Sequence, residues 1–254
     1  VGWHEERVNV AEWIRQYTWY RYGRLDTNVV RAWRIMLQTV YSSPEGYQEG
    51  PPENVLCARP ALQIKSVSTW GTLRKNYDTA AFARAVAIFD GEAEQMKGSE
   101  TYRIDRINFL RQVLANRADI VFGEVVRAYE GRDSIHFKKA AGKFLALHDQ
   151  SDVLLKGHSY YRLDAYKRRA VNAGETPEEK KNNLLNALML ITYWGENNRK
   201  EDNLHEYAYK EWGGMMKSFY KRRWELYFNY LLGQLRGEKV PEPDWFGWER
   251  AWVE

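Results

Sequence analysis

A single cysteine, Cys57, stands in a chain of 254 residues. It excludes an intrachain disulfide and a cysteine-rich zinc site, and it leaves the redox compartment open. No apolar run reaches the roughly 20 residues that a membrane-spanning helix requires. No leader segment opens the chain; its first residue is Val1 rather than Met, as expected of an excised domain or a mature fragment. No Asn-x-Ser/Thr acceptor occurs, so N-glycosylation has no obvious site. Charge of one sign is also missing. The chain carries 38 Lys and Arg against 34 Asp and Glu, a formal net charge of +4, and the signs are interspersed. Nucleic-acid binding draws on a basic stripe that neutralises phosphates. The densest runs here, Lys167-Arg168-Arg169 and Lys221-Arg222-Arg223, are short and read as solvated faces of amphipathic helices.

Recognisable chemical motifs are equally scarce. The histidines are His4, His136, His148, His158 and His205; they form no HExxH and no close ligand pair, so no metal centre is expected. His148 with Asp149 and Asp152 is the densest grouping and reads as a polar helix end. No phosphate loop is present. Gly213-Gly214 interrupts a periodic segment and reads as close helix packing or a kink. Cys57 reads as a buried or loop thiol. Alternating strand patterns are rare.

Rings and helical periodicity fill the space. Aromatic residues make up 15% of the chain, with 11 Trp and 17 Tyr. Such rings combine large contact area with a polar handle, and they serve either a ring-rich helical core or an interface or carbohydrate platform. Apolar spacing predicts helices over Val10–Tyr22, closed by Gly23, and from Asn28 to Tyr41, capped by Asp26 or Thr27. A breaker-rich loop covers Ser42 to Asn54. Further helices are expected from Asp78 to Phe89, from Tyr102 to Tyr129 with an interruption near Gly123, from Ile135 to His148, and from Ser151 to Val171. Thr176, Pro177 and Glu179 form a capping-box start for a helix reaching Tyr193 or Trp194. Segments from Asn203 to Tyr209 and from Trp212 to Leu235 complete the set. The expectation is an all-α fold, about nine helices in one domain over residues 1–254, with stacked helix pairs as one arrangement open to it.

The stretch from Asn186 to Phe228 gathers rings, carboxylates, an Arg cluster and a His. Glycoside chemistry uses two carboxyl groups flanking the bond. Asp202, Glu206 and Glu211 are nearby, but the spacing of Glu206 and Glu211 does not stack them on one helical face. Surface acids or ion-pair partners describe them better. Trp194, just before Gly195 at a helix end, can project a flat face suited to a sugar ring, or close a helical core. Tyr207 and Trp212 follow on the next segment. Arg223-Trp224 sets a guanidinium beside a ring, able to orient a carboxylate or hydroxyl, or to form a structural ion pair.

An ordered set of motifs then points to a family. EWIRQYTWYRYG (Glu12 to Gly23), AWRIMLQTVY (Ala32 to Tyr41), ARPAL (Ala58 to Leu62), TYRIDRINFLRQVLANRA (Thr101 to Ala118), ITYWG (Ile191 to Gly195), HEYAYKEWGGMM (His205 to Met216) and YKRRWELY (Tyr220 to Tyr227) follow one another along the chain. In order and spacing the chain resembles the C-terminal all-helical region of the alpha-N-acetylglucosaminidase family, glycoside hydrolase family 89. Departures exist: where the family pattern reads YDLVD, this chain has Ile104 to Asn108 and keeps only Asp105 as an acid. Glu206-Tyr207-Ala208 stands for Asp-Tyr-Ala, and Arg222-Arg223-Trp224 for Pro-Arg-Trp.

The resemblance implies a retaining enzyme that removes terminal alpha-linked N-acetylglucosamine. It implies that both catalytic glutamates belong to a barrel domain preceding this region, with the cleft where barrel and helices meet. The implied role of this chain is to pack against that barrel and complete the pocket wall, so the isolated chain is expected to be inactive. Tyr193, Trp194, Tyr207, Arg223 and Trp224 are the implied sugar-binding residues. No cofactor is implied, and the implied location is extracytoplasmic: periplasmic, secreted or lysosomal. A freestanding carbohydrate-binding or protein-interaction module is the alternative reading. Neither nucleic-acid binding nor membrane insertion is expected.

Overall fold

The computed structural model describes residues 7–42, 52–68, 71–195 and 204–254. Among these residues the fold is all-α: nine α-helices, no sheet, and two isolated backbone bridges, Pro52 with Thr72 and Arg162 with Gly213. Packing gathers in two compact units, Val1–Gln48 with Lys75–Val113, and Glu49–Arg74 with Leu114–Glu254.

The first unit holds α1 (Val10–Tyr22), α2 (Thr27–Gln38), α3 (Thr79–Asp90) and the start of α4 (Glu100–Glu130). Local chemistry sets the boundaries. Asn9 caps α1 by accepting from the Glu12 N–H, and Gly23 ends it at φ 72° while donating to Trp19 O, a left-handed cap that glycine adopts without steric cost. Asp26 and Asp78 cap α2 and α3, each accepting from two backbone N–H groups that would otherwise be orphaned. The buried residues Ile14, Val30, Trp33, Met36, Phe82, Phe89 and Tyr102 form the core, with the Phe89 and Tyr102 rings stacked at 4.4 Å. Within it, Trp33 Nε1 donates to the Tyr22 hydroxyl over 3.0 Å. Tyr22 donates to Asp105 over 2.7 Å, and Arg21 grips the same carboxylate with Nε and Nη2 at 2.5 and 2.6 Å. Asp105, the acid that survives in the central motif, is therefore a structural acceptor. Trp13, Trp19 and Tyr20 of α1 remain exposed.

α4 is continuous across Gly123, which corrects the expected interruption. A helical glycine costs only about 1 kcal/mol relative to alanine, and the flanking Val121 and Val125 are buried, so packing holds the turn.

The second unit holds α5 (Ser134–Lys156), α6 (Leu163–Asn172), α7 (Pro177–Leu190), α8 (Lys221–Leu235) and α9 (Trp245–Val253). α5 packs on α8, and α6 on α7. The capping box of Thr176, Pro177 and Glu179 is formed as expected. The expected break between His148 and Ser151 is absent, because tertiary partners satisfy the polar run. His148 Nε2 meets Leu56 O at 3.0 Å. Asp152 Oδ1 accepts from the N–H of Gly214 at 2.6 Å, while its other oxygen pairs with Lys156 at 2.6 Å. The chain breaks instead at Gly157, before α6.

Three other expectations change. Residues 205–208 form a turn rather than a helix, because Glu206 takes φ 56°; Asp202 and Asn203 lie outside the described residues. The expected helix from Trp212 begins at Met215, passes through a π-helical turn, Met216–Tyr220, and becomes α8. Gly213 and Gly214 delay it. A Cβ on Gly213 would lie 2.7 Å from the Lys156 backbone N, so close packing requires this glycine, while Gly214 is required by its φ of 97°. Finally, α9 is absent from the sequence expectation: it is only nine residues long and contains Gly247, and its start is set by an Asp244 cap that accepts from the Gly247 N–H.

A candidate aromatic wall on a buried ionic base

The second unit carries the candidate site. α7 ends at Leu190, and the chain turns through Ile191 to Gly195. Trp194 takes φ 70°, its N–H donating to Met189 O at 2.9 Å. The later turn is tied to this one: the Glu206 N–H donates to Thr192 O at 2.8 Å. Two left-handed residues in adjacent turns bring the Trp194 and Tyr207 rings to 4.8 Å in an edge-to-face arrangement, a favoured geometry for ring quadrupoles. Trp194 is half-buried, and Tyr207 keeps 44% of its surface exposed. Tyr193 turns elsewhere and packs edge-on against Phe246 of α9 at 5.3 Å.

Beneath Tyr207 lies a sealed charge cluster. Arg223, Glu206 and Glu249 expose no surface at all. Arg223 Nη1 donates to Glu206 and, over 2.5 Å, to Glu249; its Nη2 donates to Cys57 O over 3.0 Å. The guanidinium carbon also sits 4.4 Å from the centre of the Phe219 ring, within cation–π range. Arg59 closes the far side, with Nη2 at 2.7 Å and Nε at 3.1 Å from the Glu249 carboxylate. His205 Nδ1 meets the second oxygen of Glu206. Two guanidinium groups thus face two carboxylates, which is what burial of charge demands. Burial by itself would raise the Glu206 carboxyl; Arg223, His205 and Arg59 together outweigh it and hold the group below its ordinary value. Burial acts against the charged form of Arg223 too, and the Glu206 and Glu249 carboxylates overcome it, so the guanidinium stays charged.

The five residues read from the sequence therefore divide. Trp194 and Tyr207 come together at the surface, and Tyr193 packs against Phe246. Arg223 and Trp224 lie apart from this pair, both fully buried within this chain. Trp224 points into the rings of Phe144 at 4.8 Å, Phe228 at 5.3 Å and Phe122 at 5.4 Å, while its Nε1 donates to Leu56 O at 3.2 Å. The reading of Lys221-Arg222-Arg223 as a solvated face fails at its third member for the same reason. Glu211 accepts from Asn54 Nδ2 at 2.7 Å. Glu249 and Arg59 were missed. Arg59 lay inside the ARPAL motif, but nothing in its neighbourhood named a partner 190 residues away. No cluster of His, Cys, Asp or Glu able to hold a metal occurs among the described residues.

Fold and site together define an all-helical domain that carries an exposed aromatic pair on a sealed ionic base. The chain belongs to the alpha-N-acetylglucosaminidase (NAGLU) C-terminal domain family, whose profile matches residues 13–254. It is 25% identical over 234 residues to the alpha-N-acetylglucosaminidase of Homo sapiens, a match covering 91% of this chain and 30% of the human protein. It also superposes with a TM-score of 0.94 and 31% identity on a family 89 glycoside hydrolase from Clostridium perfringens solved with PUGNAc, covering 99% of this chain and 29% of that one. The same figures hold for a doubly substituted form from that organism, solved with its substrate GlcNAc-alpha-1,4-galactose. The chain spans less than a third of the length of these relatives.

Proposed function

We propose that this chain is the helical domain that completes the substrate cleft of a retaining exo-alpha-N-acetylglucosaminidase, an enzyme active in an extracytoplasmic compartment. The two catalytic glutamates lie on a barrel domain outside this chain, which serves as its partner. The ligand at the shared cleft is a glycan ending in alpha-linked N-acetylglucosamine. The observation that carries this reading is the Trp194–Tyr207 pair, two rings fixed at the surface by backbone geometry, in a chain whose family is that of the glycosidase. Ring faces accommodate the apolar side of a pyranose, and polar groups around them orient its hydroxyls. Tyr193 is assigned to the edge of the same wall. Two further observations support the division of labour. The buried carboxylates Glu206 and Glu249 are committed to Arg223, so neither is free for acid–base work. The exposed rings of α1 supply apolar surface of the kind that domain contacts bury. The chemistry needs no metal or organic cofactor, because paired carboxyl groups suffice.

The test compares this chain with the full-length protein on a chromogenic alpha-N-acetylglucosaminide. Turnover by the full-length protein alone is expected; turnover by this chain alone overturns the assignment. Calorimetric titration of this chain with N-acetylglucosamine is expected to give no saturable binding, as befits half a pocket, and tight binding would favour a freestanding module.

A further inference from the structure

We propose that Glu206 is a positioning residue, one that converts the burial of Arg223 into the orientation of the aromatic wall. The inference rests on the reading of Trp194 and Tyr207 as sugar-facing. Non-glycine residues at positive φ are strained and persist only where their surroundings over-determine them. Here two such residues, Trp194 and Glu206, lie in turns joined by the hydrogen bond from Glu206 N–H to Thr192 O. Thr192 is itself buried, its hydroxyl donating to Leu188 O at 2.7 Å, so the first turn is anchored to the end of α7. The second turn is anchored through the Glu206 carboxylate, drawn inward by Arg223 and His205. With the Glu206 side chain sealed inside, the left-handed backbone sends the next residue, Tyr207, outward against Trp194. Glu249 supplies the comparison. It balances the same guanidinium from α9 and is equally buried, but it belongs to neither turn. A role limited to neutralising Arg223 would make the two glutamates equivalent; a positioning role separates them.

The experiment uses the full-length enzyme with Glu206→Gln and Glu249→Gln side by side. Both variants are expected to melt at lower temperature. Glu206→Gln is expected to raise KM for the chromogenic glycoside about 3–10-fold, with kcat changed less than about twofold, and to raise it at least about three times more than Glu249→Gln. Equal KM shifts in the two variants overturn the proposal. Glu206→Asp, which keeps the charge but withdraws the carboxylate by one methylene, is expected to move KM in the same direction should the Gln variant not fold; an unchanged KM in Glu206→Asp also overturns it. Tyr207→Ala separates this inference from the one beneath it. If Tyr207→Ala leaves KM unaltered, the sugar-facing reading fails, and amide exchange decides positioning. Faster exchange at residues 191–195 and 204–209 in Glu206→Gln but not in Glu249→Gln supports it, and equal protection in the two variants rejects it.

Discussion

Arg223 Nη1 donates to Glu249 Oε1 across 2.5 Å, and neither residue exposes any surface. The contact joins α8 to α9, and through Arg59 it reaches the segment after Cys57. The two successive helices α8 and α9 and the segment around Arg59 are thus held by one charge-balanced centre. Breaking one partner of such a centre strands a buried charge, whereas the intact set is worth little more than apolar packing of the same volume.

Replacing Glu249 with Ala is therefore expected to destabilise the second unit by about 3–5 kcal/mol. Urea unfolding checks this, read as a lower midpoint at unchanged slope. A loss below about 1 kcal/mol would mean that water or rearrangement satisfies Arg223.

Truncating Trp194 to Ala removes one ring of the wall and the edge-to-face partner of Tyr207. In the full-length enzyme this is expected to raise KM about 3–10-fold, the equivalent of about 0.7–1.4 kcal/mol of ring contact, with circular dichroism unchanged. An unaltered specificity constant in a folded variant would remove Trp194 from the cleft.

His148 makes stability depend on pH. Burial is the largest influence on it and pushes the ring from its ordinary 6.5 down to about 4, against contacts to the Leu56 and Phe144 carbonyls. Between these values the unfolded chain binds the proton and the folded chain does not, so stability rises with pH across that window. Acidification from about 6.5 toward 4 is expected to cost up to about 3 kcal/mol from this group, and below about 4 its contribution to the slope vanishes. Denaturant titrations at neutral and acidic pH, repeated with His148→Gln, test this; the variant is expected to show the shallower pH dependence.

Gly213→Ala places a methyl group 2.7 Å from the backbone N of Lys156. Backbone cannot rotate away as a side chain would, so a loss of about 1–3 kcal/mol is expected. The thermal midpoint of the chain gives the readout, and an unchanged midpoint would show that the segment before α8 shifts freely.

Asp105→Asn leaves the Arg21 fork and the Tyr22 hydroxyl with a neutral acceptor. A cost of about 2–3 kcal/mol is expected in the first unit, detectable as faster amide exchange in α1 while α8 keeps its protection.

The readable parts of this fold were local. Gly23, Asp26, Asp78 and the Thr176–Glu179 box act within one or two turns, so these residues and the backbone groups they satisfy are neighbours in sequence as well as in space. The places where the sequence misled are those with distant partners. His148, Asp149 and Asp152 read as a polar helix end until Gly214 and Lys217 supply N–H donors to the Asp152 carboxylate. Gly123 reads as an interruption until the buried Val121 and Val125 are in place.

The candidate site divides the same way. Aromatic density around Trp194 and Tyr207 marked the region, and the ordered motifs named its family. The helical class and most helix ends were legible in the chain because propensity, capping and periodicity are short-range, while the family resemblance rested on the ordered motifs. That Trp194 and Tyr207 meet while Arg223 and Trp224 are sealed away is a matter of tertiary packing. That choice depends on Glu206 and Glu249 arriving from separate segments to neutralise one buried guanidinium, and on a left-handed turn at Glu206 that no local preference of glutamate supplies.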